Sequence, residues 1–188
     1  MVESRKDRER AERGRLIVGA ARELAEAEGW DAVTTRKLAE KVEYSQPVLY
    51  SHFKNMDAIA ATVALEGFEE LAAVLREAVS GAASPPDALR RIARSYLGFA
   101  ADHPALYDAM FVRRTDLTFG TNETPAPLRA AFDAFHQATE PFAGAEHEAL
   151  TELFWSSLHG LATLTQGHRL RPTHHEERID LLIDLIAP

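Results

Sequence analysis

Between Thr34 and Asn55 the chain carries a dense run of side chains suited to gripping and reading a polyanion. Gln46 offers an amide, Pro47 and Val48 apolar surface, Tyr50 a phenol, Ser51 a hydroxyl and His52 an imidazole. Presented together from one short helix, these groups match what a DNA major groove displays, where each base pair has its own pattern of donors, acceptors and methyl groups. Lys54 follows at the helix end, placed to meet a phosphate. Other chemistries find little support. There is no cysteine, hence no disulfide, no thiolate metal site and no cysteine nucleophile. His147, His159, His168, His174 and His175 lack the i, i+4 pairing of a helical zinc site, and no carboxylate completes a set. No glycine-rich phosphate loop and no nucleophile motif occurs. The expectation is therefore no enzyme, no metal and no cofactor.

Such a helix needs a scaffold, and the pattern around it is helical throughout: Ala, Leu, Glu and Arg dominate. Residues 6–28 form the first predicted helix, with Leu16, Ile17, Ala20, Ala21, Leu24 and Ala25 in one apolar stripe and Gly29 as its stop. Two short helices follow within 34–53. Thr34 is an N-cap for the first, and Val33 with Leu38 forms a hydrophobic staple. Ser45 is a second N-cap, Pro47 sits in the first turn, and Leu49 and Phe53 face inward. Two short helices with a three-residue connection and an apolar interface match helix-turn-helix geometry. Asn55 caps a longer helix ending near Val79. Proline and glycine breaks then predict helices at about 86–102, 104–114, 125–138, 145–168 and 174–186, with 115–124 a loop. The fold class is thus all-α with about nine helices. The low-contact segment is a charged N-terminal arm, about residues 1–8.

Length and charge agree with this division. A chain of 188 residues forms one or two small domains. Residues 1–54 hold 11 Lys/Arg and 10 Asp/Glu, a balance of +1, whereas 55–188 hold 10 and 19, a balance of −9. Phosphate repels the acidic part, so DNA contact is expected from the N-terminal segment. The start lacks a secretory pattern and no run of about 18 apolar residues occurs, so a cytoplasmic protein without membrane contact is expected.

The run Thr34-Thr35-Arg36-Lys37-Leu38-Ala39-Glu40-Lys41-Val42-Glu43-Tyr44-Ser45-Gln46-Pro47-Val48-Leu49-Tyr50-Ser51-His52-Phe53-Lys54-Asn55 resembles the DNA-binding domain of the TetR family. That family has a Thr-capped helix, a turn, and a recognition helix ending in Leu-Tyr-x-His-Phe-Lys-Asn. The resemblance implies that Thr35 and Arg36 touch phosphate and a base edge. It implies that Gln46 contacts a base, since its amide can pair with adenine N6/N7, while Pro47 and Val48 meet a thymine methyl. Tyr50, His52 and Lys54, with Ser51 among the exposed positions, would hold the backbone. Two positions depart from the family. Glu43 stands where the turn usually has Gly, which costs on the order of 1 kcal/mol if that residue takes positive φ. Met56 stands where a Lys usually follows the Lys-Asn pair.

The remaining two-thirds is rich in aromatic residues. Phe154-Trp155 with His159-Gly160 resembles the family's Trp-His-Gly type of C-terminal domain, and His103-Pro104 with Tyr107, Met110 and Phe111 resembles an earlier motif of that domain. Most aromatic residues at helical spacing form core. Tyr96, Phe99, Tyr107, Met110, Phe111, Phe132, Phe135, Trp155, His159 and Thr163 are the candidates to line a ligand cavity. Gly160 costs about 1 kcal/mol in a helix, which a close helix crossing or a gap beside a ligand would explain. The last two helices carry a large apolar face, which in this family pairs with a second copy. The expected organisation is a DNA-binding domain at 1–55 and a ligand-binding and dimerisation domain at 56–188. The expected function is a homodimeric repressor that binds a palindromic operator and is released by a small apolar effector. The alternative is a helical small-molecule carrier or enzyme without DNA affinity; an activator or architectural protein without a ligand is a third reading.

Overall fold

A computed structural model describes residues 4–113 and 115–188. Met1, Val2 and Glu3 of the expected N-terminal arm, and Arg114 at the end of one predicted helix, lie outside the described residues. The described residues form nine α-helices and no strand. They are α1 (Arg5–Glu28), α2 (Thr35–Lys41), α3 (Gln46–His52), α4 (Met56–Ser80), α5 (Pro85–Asp102), α6 (Pro104–Phe111), α7 (Ala126–Thr139), α8 (His147–Gln166) and α9 (His175–Ile186). No helix among them is long and apolar enough to cross a membrane.

Local chemistry sets most boundaries. Ser4 caps α1, its hydroxyl accepting the Asp7 N–H at 3.2 Å, so residues 5–8 of the expected arm are helical. Gly29 closes α1 with φ +81, a conformation that favours glycine. Asn55 Oδ1 accepts the Ala58 N–H at 2.8 Å and starts α4. Prolines at the first turns of α5, α6 and α7 cost no helical hydrogen bond. Within α1 the apolar stripe differs from the sequence expectation. Ile17, Val18, Ala20, Ala21 and Ala25 are buried, but Leu16 is 59% exposed and points away from the core.

The helices divide into two compact units. The first holds residues up to Gly67 together with His103–Leu117, and the second holds Phe68–Asp102 and Thr118–Pro188. Helix α4 thus contributes its first half to one unit and its second half to the other. In the first unit α6 lies against α1 and α4. A Cβ built on Gly67 would stand 2.7 Å from both Leu106 Cδ1 and Met110 Sδ, so α4 and α6 approach closely at Gly67. At Gly160, where a close crossing was expected, a Cβ would meet nothing within 4 Å; the glycine is not explained by packing inside its own chain. In the second unit, α5, α7, α8 and α9 enclose Leu89, Ile92, Tyr96, Phe135, Phe154, Leu158, Ile179 and Ile183. Surface ion pairs Arg90–Asp180 (3.0 Å) and Arg94–Glu176 (2.7 Å) join α5 to α9.

Candidate nucleic-acid interface and aromatic core

The helix-turn-helix is assembled by short-range devices. Thr34 Oγ1 accepts the Lys37 N–H at 3.3 Å, and Val33 and Leu38 are both buried, completing the staple. The turn after α2 places Glu43 at φ +57, in the left-handed region where a side chain costs on the order of 1 kcal/mol. The Tyr44 N–H then closes back on the Ala39 carbonyl at 3.0 Å. Ser45 stands at the N-cap of α3, but its hydroxyl makes no capping bond; its carbonyl takes the Val48 N–H at 3.0 Å. Leu49 is buried and Phe53 half-buried, so the i, i+4 pair holds α3 against the unit while the other faces stay open.

Those open faces carry the candidate contacts. Gln46, Pro47, Ser51 and Lys54 are exposed, Val48 is partly exposed, and Tyr50 is exposed although it is a large ring. The Tyr50 hydroxyl lies 3.3 Å from Thr35 Oγ1, which brings the start of α2 beside the middle of α3. Arg36 is exposed and its Nε donates to Glu40 Oε1 at 2.9 Å, which raises its already high pKa further. To touch DNA it must exchange that carboxylate for a phosphate or base edge, a small obstacle because the pair stands in water. Arg10 of α1 donates from Nη2 to the Ser51 carbonyl at 2.7 Å, at the last turn of α3. Burial, then the nearby Arg10 and Arg13 charges, push the His52 imidazole below its ordinary pKa, so near neutral pH it carries no charge. The described surface therefore joins Thr35 and Arg36 from α2 to Gln46, Val48, Tyr50 and His52 from α3.

The rest of the first unit holds α6 by contacts that the sequence reading missed. His103 provides no capping side chain. The first N–H groups of α6 instead donate to the Glu26 carboxylate, from Ala105 at 3.1 Å and Leu106 at 3.0 Å. Trp30 Nε1 donates to the Ala105 carbonyl at 2.7 Å, and the Arg113 guanidinium sits 5.3 Å from the Trp30 ring centre. A helix start without its own cap was the available signal; its partner, some 80 positions away in sequence, was not.

The candidate ligand residues fall into both units. Tyr107 and Met110 are buried in the first unit, Tyr107 against Phe111 with ring centres 4.8 Å apart. Tyr96, Phe99, Phe132, Phe135, Trp155, His159 and Thr163 belong to the second. There the Tyr96 hydroxyl accepts Trp155 Nε1–H at 3.2 Å and lies 3.5 Å from His159 Nδ1. Phe135 packs edge-on against Tyr96 and Phe154, with ring centres 5.5 and 6.1 Å away. Trp155, His159 and Thr163 are half-buried along one side of α8, whereas Tyr96 and Phe135 are fully enclosed. Burial holds the His159 imidazole below its ordinary pKa, so it is neutral at neutral pH. The Thr163 hydroxyl donates to the His159 carbonyl at 2.9 Å and stays within its own helix.

A further surface lies on the last two helices. Leu153, Ser157, Gly160 and Leu164 follow one another at four- and three-residue steps on α8, with Leu153 62% exposed. On α9 Leu181 and Leu185 are exposed, while Ile179 and Ile183 on its other side are fully buried.

Two family models match the chain. One, described as bacterial regulatory proteins, tetR family, covers residues 17–63, the segment of α1, α2, α3 and the start of α4. The other, described as tetracyclin repressor-like, C-terminal domain, covers residues 89–186, just over half the chain. An HTH-type transcriptional regulator of Bacillus subtilis is 30% identical over 102 residues, which is 54% of this chain and 53% of that protein, so the match spans about half of that relative. A class D tetracycline repressor of Escherichia coli is 46% identical over 50 residues, 27% of this chain and 23% of that one. Among solved structures, a TetR variant from Acinetobacter baumannii in complex with minocycline superposes with a TM-score of 0.65 at 22% identity, over 91% of this chain and 92% of that one. The helix-turn-helix and the helical body answer to the same family, and this chain belongs to the tetR family of bacterial regulatory proteins.

Proposed function

We propose that this regulator is a homodimeric repressor. Its α3 helices enter successive major grooves of a near-palindromic operator, and an apolar effector held by the second unit releases it. The observation that carries the DNA reading is the exposed face of α3, where Gln46 and Tyr50 stand open and Val48 is partly exposed while Leu49 alone anchors the middle of the helix. Gln46 reads a base, Pro47 and Val48 meet a thymine methyl, and Thr35, Tyr50, His52 and Lys54 fix the phosphate backbone. Two such helices in one dimer are about 34–36 Å apart, one helical turn of DNA.

Dimerisation is supported by the exposed leucines of α8 and α9. Leu153, Leu164, Leu181 and Leu185 form apolar surface that a monomer in water gains nothing by showing. Gly160 lies in the same row with open space where a Cβ would stand, and a helix of a second copy would explain the glycine. Effector binding is supported by the half-buried Trp155–His159 row beside the Tyr96 hydroxyl, an apolar wall with a few polar atoms. The similarly folded Acinetobacter regulator, crystallised with minocycline, accords with this. To induce, an effector must prefer the state that does not fit DNA; a coupling of about 1–3 kcal/mol is typical. The test is titration of operator-bound protein with small apolar and aromatic compounds. Release by a compound that stops acting on Trp155→Ala and His159→Ala variants is expected. A compound that binds tightly yet leaves operator affinity unchanged would sink the induction mechanism.

A further inference from the structure

Helix α1 starts at Arg5, but its first buried residue is Ile17. Three turns therefore stand clear of the core, an arrangement that local propensity alone sustains poorly. These turns are unusually basic: residues 5–15 include Arg5, Lys6, Arg8, Arg10, Arg13 and Arg15 against Asp7, Glu9 and Glu12, a net +3 in a chain of net −8. Lys6, Arg10 and Arg13 follow one another at four- and three-residue steps, and the next step along the same stripe is Ile17, which faces the core. The stripe thus runs outward from the core on the side of α1 that meets α3. Arg10 fixes that placement by donating to the Ser51 carbonyl at 2.7 Å. Arg10 and Arg13 both act on His52, so the two charges lie beside the end of α3, next to Lys54.

We infer that Lys6 and Arg13 on the protruding turns of α1 form a second phosphate-binding strip, extending the DNA contact beyond the base pairs read by α3, with Arg10 tying the strip to the α3 terminus. The inference rests on the proposed DNA reading and adds to it a contact outside the helix-turn-helix. Its chemistry is charge complementarity: exposed ammonium and guanidinium groups against a phosphate backbone, with no base edge involved. It also explains how an acidic protein holds DNA, by adding the positive charge of α1 to that of Lys54 at the end of the reading helix. Arg5, by contrast, is engaged by Glu9 at 2.8 Å on another face.

The experiment compares wild type with Lys6→Gln/Arg13→Gln, both exposed positions, on a duplex recovered by selection from random DNA and on a scrambled duplex of equal length. Affinity is measured by fluorescence anisotropy across salt concentrations. Each lost phosphate contact lowers the slope of log K against log salt by about 0.9, so a reduction of up to about 1.8 per bound protomer is expected. Affinity should fall in parallel on both duplexes, with an unchanged thermal melt and an unchanged selected motif. An unchanged slope, in a protein whose Gln46→Ala variant loses the selected duplex, would make the strip a solvated face and overturn this inference alone. A changed selected motif would overturn the phosphate role in favour of base reading. If wild type selects no sequence at all, the DNA reading fails first and this inference with it.

Discussion

Helix α3 and the Tyr96–Trp155–His159 cluster are both built from aromatic and polar side chains, yet they are held in opposite ways. Helix α3 is seven residues long, anchored by Leu49 and Phe53, and spends the rest of its surface on solvent. The cluster is drawn from α5 and α8, and Tyr96 is fully enclosed while its hydroxyl is bonded to Trp155. The first region can lose side chains without losing its fold, because those groups touch little inside the protein. The second is anchored at its inner end, where Tyr96 and Phe135 fill space that nothing else fills, while Trp155 and His159 are half-buried at its outer edge. What is open in the free protein, the α3 face and the outer edge formed by Trp155 and His159, has room for a partner from outside, and what is closed, the Tyr96 ring, has its partners already.

That contrast breaks most sharply at Phe135, wedged between Tyr96 and Phe154. Phe135→Ala is expected to destabilise the second unit by about 3–5 kcal/mol in chemical denaturation; a loss under about 1 kcal/mol would mean the cluster is not close-packed. Gln46→Ala is the converse: no change in melting, with about 1–3 kcal/mol of discrimination lost at one base pair in binding to the selected duplex.

His159 sharpens the comparison through pH. Burial lowers its pKa in the folded protein, so its neutral form contributes stability that is present above the ordinary imidazole value and is lost as pH falls through the lowered one. Wild type should therefore lose more stability than His159→Gln on acidification from neutral pH to below that value. Equal losses would mean that His159 does not feel its burial. The smallest expected effect is at the turn between α2 and α3. Glu43→Gly relieves the φ of +57 and should stabilise the first unit by on the order of 1 kcal/mol, raising the thermal midpoint with DNA specificity unchanged.

The same contrast explains what was legible in the sequence. Thr34, Asn55 and Gly29 act within a few residues of themselves, as do the prolines at 85, 104 and 127, so the helix boundaries follow from local patterns. The exposed face of α3 was legible for the same reason, since a seven-residue helix with one apolar stripe has few ways to lie. The expected capping bond at Ser45 is absent: Pro47 at the second helical position has no N–H to offer, and the Val48 N–H goes to the Ser45 carbonyl instead. Glycine spacing alone cannot distinguish Gly160, where an added Cβ would meet nothing within 4 Å, from Gly67, where it would meet Leu106 and Met110. The return of His103–Leu117 to the first unit depends on Glu26 and Trp30 meeting α6 across a long stretch of sequence, and no local pattern records that. Trp155 and His159 were candidates from a motif and Tyr96 from aromatic density; no local pattern records that the three bond to one another.

The central claim is that α3 reads DNA, and it is tested most directly by selecting binding sequences from random duplex DNA and measuring the recovered duplex by anisotropy at two salt concentrations. Wild type is compared with a Gln46→Ala, Tyr50→Ala variant. A recovered near-palindrome, bound more weakly at high salt and far more weakly by a variant that melts like wild type, is the predicted result. No enriched sequence and no effect of the double substitution would contradict it and would leave a helical small-molecule carrier as the reading to pursue.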